Sequence, residues 1–183
     1  MARNIEIKAQ IASVAALIER AAEIADEGPT EIDQDDTFFE CRAGRLKLRT
    51  SAFNEGELIF YRRTDERGPK ESYYVRTPTA SPDSLREALT LAYGQAGRVR
   101  KRRTLFLAGR TRIHLDIVEN LGHFLELEVV LRDGESAAAG ILAAEELMQR
   151  LGVKPSQLID RAYVDLLAEQ DPGTPVGTPT PNR

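Results

Sequence analysis

Cysteine occurs once in this 183-residue chain and histidine twice, and no apolar run is long enough to cross a membrane as a helix. With Cys41 alone, neither an internal disulfide nor a cysteine zinc cluster can form, so a reducing cytoplasm is the expected setting. His114 and His123 are too few for a multi-histidine zinc centre. The first residues are charged strand material without the basic segment and apolar stretch of a leader, so a soluble, unprocessed protein with no membrane partner is expected. The 25 basic and 29 acidic residues leave a formal charge of -4. That acidic balance, and the lack of aromatics interleaved with RVRKRR at residues 98–103, argue against a nucleic-acid partner.

What is present suits one folded domain. Apolar residues make up 42% and charged residues 30%, which excludes a disordered chain, and residues 1–170 are long enough to bury a substantial core. Residues 171–183, DPGTPVGTPTPNR, carry almost nothing apolar and are expected to form a disordered tail. NIEIK at residues 4–8 alternates apolar and polar positions like a strand with two different faces. Further strands are expected at residues 31–41, 45–50, 57–63, 70–77, 98–107, 112–118 and 123–132. Residues 14–25 carry a helical apolar stripe, with Ser13 as cap and Gly28-Pro29 closing the segment. A second helix starts at Ser81-Pro82 and stops before Gly94, and residues 136–151 and 155–169 are expected to be helical. Eight strands joined mostly by hairpins close naturally into a small barrel. The fold class expected is α+β: an eight-stranded antiparallel β-barrel with helices packed outside.

The strands raise a problem of charge. In GRLKLR, Lys47 and Arg49 oppose Leu46 and Leu48; in FLELEV, Glu126 and Glu128 oppose Leu125 and Leu127. In RVRKRR both faces are charged, Lys101 and Arg103 on one and Arg100 and Arg102 on the other. Either the barrel interior is apolar and every charged face is solvated, or helices cover the apolar faces and the charges line a wet lumen. Three segments with apolar stripes need something to cover, which favours the lumen. Its basic candidates are Lys8, Lys47, Arg49, Arg63, Lys70, Lys101 and Arg103, with the register of LIFYRR open between Arg62 and Arg63. Its acidic candidates are Glu6, Asp116, Glu126 and Glu128, with Asp36 beside them. So many cations call for a polyanion, and strand carboxylates suit Mg2+ or Mn2+ shared with phosphate oxygens. His114 in IHLD is placed to hydrogen-bond Asp116.

These residues resemble the CYTH superfamily, the triphosphate tunnel metalloenzymes, which includes class IV adenylyl cyclases and thiamine triphosphatases. NIEIK is similar to the family's Glu-x-Glu-x-Lys signature, and GRLKLR, VRKRRTLF, RIHLDIVENLGHFLELE and LIDRAYVDLL follow in the family's order. The resemblance implies a charged tunnel in which Glu6, Glu126 and Glu128 hold Mg2+ or Mn2+, while Lys8, Lys47, Arg49, Arg63, Lys70, Lys101 and Arg103 grip a triphosphate. Lys8, Asp116 and Arg103 are the implied catalytic set. Asn4 stands where the signature has its first glutamate, so one metal carboxylate becomes an amide. The implied activity is that of the cyclase branch, converting ATP to cyclic AMP and pyrophosphate. A triphosphatase is the close alternative and a non-catalytic polyphosphate binder the third, each working as a monomer or homodimer.

Overall fold

The computed structural model describes residues 2–51 and 55–170. The tail expected at residues 171–183 lies outside the described residues, as does Asn54 of the turn read between the third and fourth strands. The chain builds β1 (Ala2–Ile11), α1 (Ala15–Ile24), β2 (Glu27–Phe39), β3 (Arg45–Thr50), β4 (Gly56–Arg63) and β5 (Lys70–Thr79). Then come α2 (Pro82–Tyr93), β6 (Gln95–Ala108), β7 (Thr111–Val118), β8 (Gly122–Val130), α3 (Ala137–Arg150), a 3-10 turn (Pro155–Gln157) and α4 (Tyr163–Gln170). All eight strands pair antiparallel and close into a barrel in the order β1-β5-β4-β3-β2-β6-β7-β8. No described helix is long and apolar enough to cross a membrane.

The strand period sorts side chains between wall and lumen. Ile5, Ile7 and Ala9 of β1, Ile113 and Leu115 of β7, and Leu125, Leu127 and Val129 of β8 point outward into one buried cluster. Leu17 and Ala21 of α1 and Ala144, Leu147 and Met148 of α3 cover it. Fully burying one such aliphatic side chain is worth about 1.5–3 kcal/mol, so this outer layer, and not a greasy lumen, is the main core. A second cluster joins Phe38, Val99, Val118 and Phe124 from the strands to Ala162, Tyr163 and Val164 at the start of α4, which stoppers one end of the barrel.

Three local expectations are corrected. Ser13 makes no cap; the Val14 N–H at the helix start donates instead to His123 Nδ1 at 3.3 Å. Gly28-Pro29 does not precede the second strand but lies inside it, where the pairing with β6 shifts register between Glu27 and Thr30. Gly28 has φ +116°, and a Cβ there would sit 2.8 Å from the Leu105 carbonyl oxygen, so glycine permits this close pass. The expected helix at residues 155–169 is interrupted. Pairing of β1 with β5 ends at Glu6, and just beyond that point the Ile159 N–H donates to the Lys8 carbonyl at 3.0 Å while Leu158 bridges to Ala9. Backbone satisfaction at that free edge holds the segment extended.

Candidate functional site

Inward positions from every strand line one cavity of about 260 Å³. β1 contributes Asn4, Glu6 and Lys8; β2 Gln34 and Asp36; β3 Lys47 and Arg49; β4 Tyr61 and Arg63. β5 adds Ser72, Tyr74 and Arg76, β6 Lys101 and Arg103, β7 Arg112 and His114, and β8 Glu126 and Glu128. Arg63, not Arg62, is the inward residue of that pair; Arg62 donates outside to the Ala43 carbonyl.

Register sets the ion pairs. Lys8 lies opposite Glu126 across β1 and β8, and its ammonium is 2.7 Å from Glu126 Oε1. Arg103 lies opposite Asp116 and donates to both its oxygens at 2.7 Å, while a further N–H reaches Glu126 Oε2 at 2.6 Å. Lys101 donates to Asp116 at 2.9 Å, and the Tyr163 hydroxyl donates to the same carboxylate at 3.2 Å. On the facing wall Lys47 and Arg49 share Asp36, at 2.7 Å for the ammonium and at 2.7 and 2.8 Å for the guanidinium. Arg63 donates to Glu6 at 2.7 Å and Arg112 to Glu128 at 3.2 Å. The Lys8 ammonium also lies 3.9 Å from the centre of the Tyr163 ring.

Burial and charge act together on titration here. Burial alone raises Asp116, but Arg103 and Lys101 outweigh it and hold the carboxyl far below its usual range. Asp36 is likewise raised by burial and more strongly lowered by Lys47 and Arg49. Glu126 and Glu128 stay below the ordinary glutamate value despite burial, the first through Lys8, Lys101 and Arg103, the second through His114 and Arg103. Burial pushes Lys47 down to about 7, helped by Arg49 and opposed by Asp36. Lys101 falls for the same reason, with Arg103 as its repelling neighbour, and His114 is lowered by burial and Arg103.

Of the residues expected in the lumen, Glu6, Lys8, Lys47, Arg49, Arg63, Lys101, Arg103, Glu126 and Glu128 line the cavity together with Asn4 and Asp36. Two do not. Lys70 is buried, but its ammonium donates to the carbonyls of Glu66 at 2.8 Å and Asp160 at 3.2 Å, so it secures a loop and the α4 approach. Asp116 is fully buried behind Lys101, Arg103 and Tyr163 and is not among the lining residues. His114 is not paired with Asp116; its Nδ1 lies 3.6 Å from Glu126 and 3.9 Å from Glu128. Arg76, Arg112 and Tyr163 were not singled out from sequence. Arg112 sits two residues before His114, so strand alternation already carried it; Tyr163 enters from a helix, where that period says nothing.

Among the described residues, His114, Glu126 and Glu128 each offer a ligand atom, all within 4.8 Å of one another. Glu6 is outside that group and is held by Arg63. Four lining residues carry buried side-chain atoms without a hydrogen-bond partner: Asn4 Oδ1, Gln34 Oε1, Arg63 Nε and Nη2, and His114 Nδ1. Buried polar groups are normally satisfied, so these point to a ligand and a cation that would complete them. One imidazole and two carboxylates form a donor set that fits a divalent cation.

The family model for the CYTH domain matches residues 2–163. No curated protein matches the chain. A protein from Pyrococcus horikoshii has a similar structure, with 22% identity, 89% of this chain and 98% of that chain covered, and a TM-score of 0.80. A Vibrio parahaemolyticus protein provisionally described as an adenylate cyclase matches at 18% identity over 90% of this chain and 97% of its own, with a TM-score of 0.73. A Hippeastrum protein, provisionally an adenylyl cyclase and described as having a dominant triphosphatase activity, matches at 13% identity over 95% and 97%, with a TM-score of 0.61.

Proposed function

The chain belongs to the CYTH domain family, and from that premise we propose that it is a divalent-metal-dependent enzyme that hydrolyses a linear triphosphate held in the tunnel. The observation that carries this reading is the charge of the cavity wall. Seven basic side chains, Lys8, Lys47, Arg49, Arg63, Lys101, Arg103 and Arg112, stand against five carboxylates, Glu6, Asp36, Glu126, Glu128 and the Asp116 behind them, a formal excess of two positive charges inside a chain of formal charge -4. A triphosphate chain, with one charge per phosphate and a second at its end, brings about four negative charges, which that excess and a divalent cation would together offset. Lys47, Arg49 and Arg63, now bonded to carboxylates, would exchange part of those bonds for phosphate oxygens, as charge-assisted pairs do readily.

Glu126 and Glu128 would hold the cation, which supplies Lewis-acid polarisation of a phosphoryl oxygen when bound. The remaining work belongs to the chain. Lys8 and Arg103 face Glu126 and would neutralise charge developing on the transferring phosphoryl group. Asp116, already accepting from Lys101, Arg103 and Tyr163, is a positioning residue that fixes the Arg103 fork and is not a base. Water attacks the terminal phosphorus, the anhydride P–O bond breaks, the leaving diphosphate keeps the electron pair, and the proton lost by the water passes to the phosphate products.

Hydrolysis stands first because about 260 Å³ is below the roughly 300–1,000 Å³ of pockets that enclose drug-sized ligands. The triphosphate fits inside; an organic group stays at the mouth. Cyclisation of a nucleoside triphosphate is the second reading, supported by Tyr74 and Arg76, which extend the inward face of β5 and offer a base a stacking surface. Incubating the protein with tripolyphosphate and with ATP, under Mg2+ or Mn2+, separates the two. Orthophosphate release supports hydrolysis, and cyclic AMP with pyrophosphate supports the cyclase. Binding without turnover overturns the enzyme reading. Glu126→Gln and Glu128→Gln should each lower kcat roughly 100-fold or more, since a Lewis acid supplies several kcal/mol and about 1.4 kcal/mol is a factor of ten. Unchanged metal-dependent activity in both variants would remove these residues from the metal site.

A further inference from the structure

His114 stands apart from the other basic groups of the lumen: it is an imidazole among ammonium and guanidinium groups. It is only 4% exposed, and its Nδ1 makes no hydrogen bond. The nearest acceptors, Glu126 Oε2 at 3.6 Å and Glu128 Oε1 at 3.9 Å, are both beyond hydrogen-bonding distance. Strand register makes this arrangement deliberate in the sequence, because His114 on β7 lies directly opposite Glu126 on β8. A buried, unpartnered ring nitrogen beside two carboxylates costs stability unless a cation joins the three.

We propose that His114 is a nitrogen ligand of the cation held by Glu126 and Glu128, and that it tilts the site away from Mg2+ toward first-row transition ions such as Mn2+. The inference rests on the reading of this tunnel as a divalent-metal site. Mg2+ takes hard oxygen donors and keeps its waters, whereas an imidazole adds affinity for transition ions and little for Mg2+.

The full chain, loaded with Mn2+ alone and studied by pulsed electron paramagnetic resonance, tests this without any turnover. Bound Mn2+ should show modulation from a directly coordinated nitrogen, and labelling histidine with nitrogen-15 should replace it by the heavier isotope's pattern. The label reads one site, because the other histidine, His123, shares the outer face of β8 with Leu125 and Leu127, where its Nδ1 accepts the Val14 N–H at 3.3 Å. In His114→Gln the nitrogen signal should vanish and the preference for Mn2+ over Mg2+ in competition should shrink. Mn2+ bound with oxygen ligands only overturns the role of His114 and leaves the metal-dependent reading standing; no bound Mn2+ overturns both. The labelled native protein decides the matter even if the variant fails to fold.

Discussion

Single residues in this tunnel are set by competition between burial and neighbouring charge, and Lys47 is where the two nearly balance. Its ammonium is 2.7 Å from Asp36, yet burial and Arg49 hold its pKa down to about 7. An unfolded lysine binds its proton up to about pH 10.4, so between there and pH 7 the unfolded chain carries the extra proton and, for this group, stability of the ligand-free protein rises with pH. A bound polyanion reverses the local balance and raises the lysine's pKa. Binding of tripolyphosphate at pH 8 should therefore take up protons, whereas at pH 6 the lysine is already charged. Calorimetry in buffers of different ionisation enthalpy reads the uptake, which Lys47→Met should reduce by about one proton. Equal uptake in the native protein and the variant would show that Lys47 is not the titrating group. The neighbouring Asp36 gives no such signal, because Lys47 and Arg49 keep it ionised throughout this range.

At the level of elements, the alternation of side chains along strands makes most of the architecture legible in the sequence. NIEIK, GRLKLR and FLELEV each place aliphatics on one face and charges on the other, and the structure puts the aliphatics under helices and the charges inside. The period could not reach groups delivered by other means. Tyr163 arrives from α4, Lys70 turns to carbonyls of a loop and of the segment before α4, and the 158–159 stretch is extended only because β1 has a free edge there. Partner choice was also hidden. Alternation put His114 and Asp116 on one face, but cross-strand register, which sequence does not print, gave His114 to Glu126 and Asp116 to Arg103. The seat of α3 on β1 offers a test at this scale. A Cβ on Gly140 would lie 2.6 Å from Ile5 Cγ1 and 2.7 Å from Leu131 Cδ2, and Ile5 is fully buried. Gly140→Ala gains up to about 1 kcal/mol of helix propensity and loses about 1–3 kcal/mol to overpacking. A lower melting temperature is expected, by a few degrees. An equal or higher one would mean that α3 rides away from the barrel without cost.

Over the whole molecule, the charges are divided between a cationic interior and an acidic remainder, and this division has a thermodynamic consequence. Seven basic side chains confined with five carboxylates, Asp116 included, leave a net repulsion in a cavity where water screens them poorly. Outer cations are different: Arg98, Arg100 and Arg102 are exposed and answered by Asp35, Asp33 and Glu119. An anion that binds the folded chain stabilises it by mass action, about 2.7 kcal/mol at a hundred times Kd. For a chain of this size each kcal/mol raises Tm by about 2–4 °C, so saturating tripolyphosphate should raise Tm by roughly 5–10 °C. Ionic strength then separates interior from exterior. Salt at about 0.5 M shortens screening to a few ångströms and should abolish any shift that arises at the exposed stripe, while buried pairs are screened much less and should keep most of theirs. Differential scanning fluorimetry at low and high salt, with orthophosphate at equal concentration as the weaker anion, measures both. A shift that disappears with salt, or one that orthophosphate reproduces, would place the anion on the outer wall and leave the cationic lumen without the ligand its charge calls for.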